Sequence, residues 1–129
     1  MKTISLLTLL TALHAVKSDS GRDPNCGGNE YQITRRCVDD VNRICAKHDF
    51  YYTFKYDDVY DPEKSRAIAI IYMNHYGNLY RKRTGKVPTA KIYAFIFHLG
   101  YRGMLDTKNK RKGDYYWRKV SRKLKEVSK

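Results

Sequence analysis

The sequence is poor in the residues that define several common protein classes. It holds only three cysteines, Cys26, Cys37 and Cys45, too few for a small scaffold stapled by disulfides. No close Cys or His pairs have zinc spacing, so neither a metal nor another cofactor is expected. After the N-terminal region no segment is long and apolar enough to span a bilayer, which argues against a transmembrane helix. Acidic residues number 13 against 26 lysines and arginines, which leaves the chain short of negative charge. Internal repeats are missing, and so is any strong run of alternating strands, which points away from solenoid and all-β folds.

The residues present suit one domain. A chain of 129 residues leaves little room for a second, and 42% hydrophobic residues suffice for a packed core. Tyrosine occurs 12 times against a single tryptophan. Tyrosines pack in cores, and they also stack on sugar rings or bases. The formal charge of +13 attracts polyanions whatever the fold. Anionic bacterial envelopes, acidic glycans, nucleic acid and anionic membranes are all candidate partners on composition alone.

The N-terminus reads as a secretory leader: Lys2 supplies the positive charge and Ile4 to Val16 a short apolar run. Val16 and Ser18 fit the small-residue rule for a cut after Ser18, with Ala15 as a second option. The expected organisation is therefore a leader over 1–18 and a secreted domain over 19–129. Left uncut, Leu6-Leu7-Thr8-Leu9-Leu10 would serve as a core helix. Secretion favours disulfides. On one helix, Cys37 and Cys45 would sit roughly 12 Å apart, too far to bridge. Cys26 would then pair with one of them, leaving a free or intermolecular thiol.

Helical signals dominate the remainder. Residues 19–30 are polar and glycine-rich and read as a loop. Thr34 is placed to cap a helix over 34–46 with Cys37, Val38, Val41, Ile44 and Cys45 on one side. A short strand or hairpin is expected near Tyr31-Gln32-Ile33, and 49–60 reads as irregular. Asp61-Pro62 opens the next helix, with Asp61 as N-cap and Pro62 in the first turn. Gly77 is its natural stop. Thr89 caps a third helix with Ile92, Phe95, Ile96 and Leu99 on its apolar face, ended by Gly100. A basic loop over 108–113 leads to Asp114 as cap of the last helix. Trp117, Val120, Leu124 and Val127 face inward there, and Arg118, Lys119, Arg122, Lys123 and Lys125 outward. The expected fold class is mainly α, with at most a short β-hairpin.

Several segments together resemble one family. They are Tyr31-Gln32-Ile33 with Val38-Asp39-Asp40-Val41-Asn42-Arg43-Ile44; Asp61-Pro62-Glu63-Lys64-Ser65-Arg66 through His75-Tyr76-Gly77; Arg83-Thr84-Gly85-Lys86-Val87-Pro88-Thr89-Ala90; Gly100-Tyr101-Arg102-Gly103; and Tyr115-Tyr116-Trp117-Arg118-Lys119-Val120. In order and spacing they resemble lysozyme-like glycoside hydrolases of invertebrate and bacterial type, over roughly 19–125. The resemblance implies a lysozyme-like helical domain that acts on the β-1,4 bond of peptidoglycan. That chemistry needs a carboxylic acid to protonate the leaving oxygen and usually a second carboxylate.

The family's acid is a Glu within a run like Glu-Ser-Gly-x-Asp-Pro-Asn. Here Asp19-Ser20-Gly21-Arg22-Asp23-Pro24-Asn25 stands in its place. Asp19 is thus the first catalytic candidate, one methylene short, and a displacement on the order of 1 Å can cost about a hundredfold in rate. A cut after Ser18 would also set it beside a new terminal ammonium. Glu30 is the second candidate; its alternative is a solvated loop carboxylate. By the same resemblance Gln32, His98 and Tyr101 are candidate substrate contacts. The Gln32 amide both donates and accepts, Tyr101 offers a stacking face, and His98 would alternatively meet the end of a helix dipole. Trp117 is expected in the core. His98-Leu99-Gly100-Tyr101 replaces the family's Asn-Gly-Gly-Pro turn, which should narrow the groove.

Cys45-Ala46-Lys47-His48-Asp49-Phe50-Tyr51-Tyr52 resembles the phospholipase A2 signature, but three cysteines cannot build that scaffold. The expectation is a secreted cationic lysozyme-like protein of antibacterial defence that binds peptidoglycan, a related β-1,4-linked glycan or another anionic polysaccharide, with hydrolysis weak or lost. The alternative is an active lysozyme. The basic stretch Lys108–Lys112 would suit nucleic acid, but secretion argues against that partner.

Overall fold

The structure is a computed structural model that describes residues 6–19, 31–48 and 53–127. Among these residues it is built from five helices: α1 (Leu6–Asp19), α2 (Arg35–Lys47), α3 (Pro62–Thr84), α4 (Ala90–Leu105) and α5 (Lys110–Val127). Short 3-10 turns at Tyr56–Tyr60 and Thr107–Asn109 join them. The fold is mainly α. The hairpin expected near Tyr31 is not formed: residues 32–34 carry no strand, and the described residues contain none.

Three helix starts follow from capping chemistry. Thr34 Oγ1 accepts the Cys37 N–H at 3.1 Å. Asp61 Oδ1 accepts from the N–H groups of Glu63 and Lys64 at 2.9 and 3.2 Å. Thr89 Oγ1 accepts the Ile92 N–H at 3.2 Å. Each satisfies donors that the first helical turn leaves unpaired.

Two glycine readings are corrected. Gly77 does not stop α3, which runs on to Thr84 and ends at Gly85 in a left-handed conformation (φ 71°). Gly77 is instead buried where Tyr93 of α4 crosses. A Cβ there would lie 2.6 Å from Tyr93 Cε1. Nor does the last helix begin at Asp114. It starts at Lys110, so Gly113 lies inside it, where a Cβ would meet Phe95 at 2.5 Å. Both glycines permit close helix crossings. Asp114 is a helical residue paired with Lys91 of α4 at 3.3 Å.

The helices pack in the order α2, α3, α4, α5, α1, with α1 also reaching α4. The core joins Ile68, Ala69 and Met73 of α3 to Ala94 of α4 and to Tyr116, Val120 and Leu124 of α5. Trp117 is half-buried and packs against the core rather than within it. Most of the run expected as a leader is α1, a packed element of this fold. Leu9, Leu10, Ala12, Leu13 and Val16 are all buried, and α1 lies along α5. No described helix is long and apolar enough to cross a membrane.

The segment before the first 3-10 turn is tied to α2 by one amide. Asn42 Nδ2 donates to the Phe54 carbonyl at 2.9 Å, and Asn42 Oδ1 accepts the Phe54 N–H at 2.7 Å. This pair fixes the outer side of α2 and leaves its opposite side to face α3.

Candidate functional site

Two backbone features shape a groove of about 960 Å³ between α2, α3 and α4. Gln32 sits in the left-handed region (φ 53°), uncommon for a residue with a side chain. Gly100 adopts φ 77°, ψ 162° and breaks the helical path of α4. Only glycine takes that conformation readily. The break lets Tyr101 turn back into the bundle, where it is buried and stacks on Tyr76 of α3 with ring centroids 5.4 Å apart. The Arg83 guanidinium lies 5.9 Å from the Tyr101 ring centroid, within range of a cation–π attraction.

Gln32, His98 and Tyr101, assigned by the sequence as substrate contacts, all line this one groove. His98 is exposed, and its ring stacks on Tyr116 of α5 with centroids 3.9 Å apart and planes within 6°. That contact with α5 fixes the imidazole at the groove edge. Asp19 is the last residue of α1, and its side chain lies outside the described residues, as does the whole of Glu30. Cys37 and Cys45 are both unbonded on α2, and Cys26 lies outside the described residues. His48 ends α2 with its N–H bonded to the Ile44 and Cys45 carbonyls, while Asp49 lies outside the described residues.

The groove's polar centre is a carboxylate that the sequence did not single out. Asp40 of α2 engages both oxygens: Oδ1 pairs with Arg43, and Oδ2 accepts the Tyr76 hydroxyl. It thereby braces α2 against α3. Burial first, and then the bond to Asp40, pushes the Tyr76 hydroxyl up to about 12. Burial, helped by the Asp40 charge, pushes the Cys37 thiol up to about 12. This thiol stays protonated at neutral pH and is a poor nucleophile. Tyr72 is raised above the ordinary tyrosine range, again chiefly by burial. His75 is held below the ordinary imidazole range by burial, partly offset by Asp40. The groove therefore presents phenols and a protonated thiol around the Asp40 brace.

Asp40 and Tyr76 are 36 residues apart, so no local pattern could have joined them. Only the i, i+3 spacing of Asp40 and Arg43 on one helix was legible. Tyr76→Phe is expected to cost about 1.5–3 kcal/mol, as for a hydrogen bond to a charged partner. Urea unfolding measures the loss. Combined with Asp40→Asn, it should cost less than the two single losses together, because both remove the same bond.

Comparison of the chain with protein-family profiles, with curated proteins and with solved structures returns no match.

Proposed function

We propose that this chain is a divergent lysozyme-like domain, acting outside the cell, that binds peptidoglycan or a related β-1,4-linked glycan without efficient hydrolysis. The observation that supports this reading most is the meeting of Gln32, His98 and Tyr101 in one groove. They are separated in sequence, and the resemblance assigned each to sugar contact. The groove's volume of about 960 Å³ suits a short glycan segment. An amide, an imidazole and phenols suit sugar hydroxyls and the apolar faces of sugar rings.

Weak hydrolysis follows from the acids. Cleavage needs a carboxylic acid that gives its proton to the leaving oxygen. Of the two carboxylates lining the groove, Asp40 is occupied by Arg43 and Tyr76, and Asp39 is exposed to solvent, without the apolar wall a general acid needs. Asp19, in the place of the family's Glu, is one methylene short.

Sedimentation with insoluble peptidoglycan, run beside a turbidity assay on Gram-positive cell walls, tests the proposal. Wild-type protein is expected in the pellet without clearing the suspension. Gln32→Ala should weaken retention about tenfold, equivalent to roughly 1.4 kcal/mol. Clearing that disappears in Asp19→Ala or Glu30→Ala would instead establish an enzyme and name its acid. Failure of the wild type to sediment would contradict the proposal.

A further inference from the structure

We infer that the groove selects a glycan bearing oxyanion substituents, carboxylate or sulfate, and holds them with Arg36, Arg83 and Arg102. This rests on the glycan-binding reading above and specifies its substrate class. Lysines outnumber arginines in the chain by 15 to 11, yet the groove lining holds four arginines and no lysine. A guanidinium presents a flat fork of donors that matches a carboxylate or sulfate edge at two points. An ammonium supplies only a point charge.

The pairing of these arginines is uneven. Arg43 is bound by Asp40. Arg36, Arg83 and Arg102 make no ion pair among the described residues. They come from α2, α3 and the part of α4 beyond the Gly100 break, so three separate elements deliver unpaired forks to one concave surface. The opposing carboxylates of the lining are Asp39 and Asp40. Asp40 is already committed, and the groove keeps a positive excess. The Arg83 guanidinium lies 5.9 Å from the Tyr101 ring centroid, a cation–π approach that uses none of its N–H donors in an ion pair. A neutral glycan offers these forks only hydroxyl and amide oxygens, without the opposite charge that strengthens the bond. A chain with acidic groups on its sugars would use them while its hydroxyls meet Gln32 and the half-buried Tyr72 and Tyr76.

The contrasting surface is the outer face of α5, where Arg118, Arg122 and Lys125 are exposed. None of α5 lines the groove, and a convex cationic helix attracts any polyanion without choosing among them. It supplies a charge-matched control.

Calorimetric titration at physiological ionic strength compares three soluble oligomers of equal length. One is neutral β-1,4-linked N-acetylglucosamine, one a uronic-acid oligomer and one a sulfated oligomer. The proteins are the full chain, Arg36→Gln/Arg83→Gln/Arg102→Gln, and Arg118→Gln/Arg122→Gln/Lys125→Gln, each with its melting midpoint recorded. At least one acidic oligomer is expected to bind about tenfold or more tighter than the neutral one. The groove variant should lose that preference and the α5 variant should keep it. Which of the two acidic oligomers is favoured identifies the source of the oxyanion. Equal binding of neutral and acidic oligomers overturns the inference and leaves the glycan-binding reading standing. A preference abolished by the α5 substitutions also overturns it. If no oligomer binds, both readings fall together.

Discussion

Deleting residues 1–18 is expected to leave a chain that no longer folds cooperatively. Leu9, Leu10, Leu13 and Val16 of α1 are 2, 1, 0 and 3% exposed. Burying each such side chain is worth about 1.5–3 kcal/mol, so the four together contribute on the order of 6–12 kcal/mol. A whole domain's stability is only about 5–15 kcal/mol. Deletion also uncovers the part of α5 along which α1 packs. A milder version of the same experiment is Leu13→Ala. It should cost about 2–5 kcal/mol, the usual range for emptying a fully buried leucine site. Circular dichroism during urea unfolding measures both. A truncated chain that melts with the wild-type midpoint would remove α1 from the core. The outcome bears directly on export, since a chain cut after Ser18 lacks all four side chains.

Gly100→Ala is expected to damage stability and binding together. The backbone there (φ 77°, ψ 162°) is strained for any residue with a Cβ, at about 1–3 kcal/mol. Space is not the obstacle. The nearest atom to a Cβ would be the Tyr72 hydroxyl at 3.6 Å, an ordinary contact. The strain falls on the bond that delivers Tyr101 to Tyr76 and Arg83, so relief by backbone rotation should pull the aromatic wall apart. Glycan affinity should drop at least about tenfold, or 1.4 kcal/mol. Gly85→Ala is the control. It also alters a positive-φ glycine (φ 71°), with nothing within 4 Å of its Cβ and no part in the groove lining. It should cost about 1–2 kcal/mol of stability and leave affinity unchanged. Equal loss of binding in the two variants would show that general destabilisation, not the shape of the α4 break, governs the groove.

The legible parts of this fold were those decided by neighbours in sequence. Thr34, Asp61 and Thr89 announce helix starts because a cap bonds donors two or three residues away. Val38, Val41, Ile44 and Cys45 mark the buried side of α2 because helical spacing brings them together. What failed was decided across the structure. Gly77 and Gly113 looked like an end and a loop, since nothing local separates a glycine that stops a helix from one that admits Tyr93 or Phe95. The start of α5 moved from Asp114 to Lys110 for the same reason. The apolar run of α1 satisfies the pattern of a leader and that of a core helix equally well, and its packing against α5 describes the uncut chain.

The site divides in the same way. Gln32, His98 and Tyr101 came from a resemblance in motif order, and they line a common groove. Asp40 and Tyr76, its polar brace, were invisible because their bond joins two helices. The three unpaired arginines were hidden in a sequence where basic residues are everywhere. Only the fold separates those facing a cavity from those facing solvent.

Amide and side-chain chemical-shift mapping during titration with a soluble peptidoglycan fragment tests the groove most directly. Shifts concentrated at Gln32, Arg83, His98 and Tyr101, and saturating together with one affinity, are the predicted result. Shifts spread along the cationic face of α5, or none at all, would contradict it.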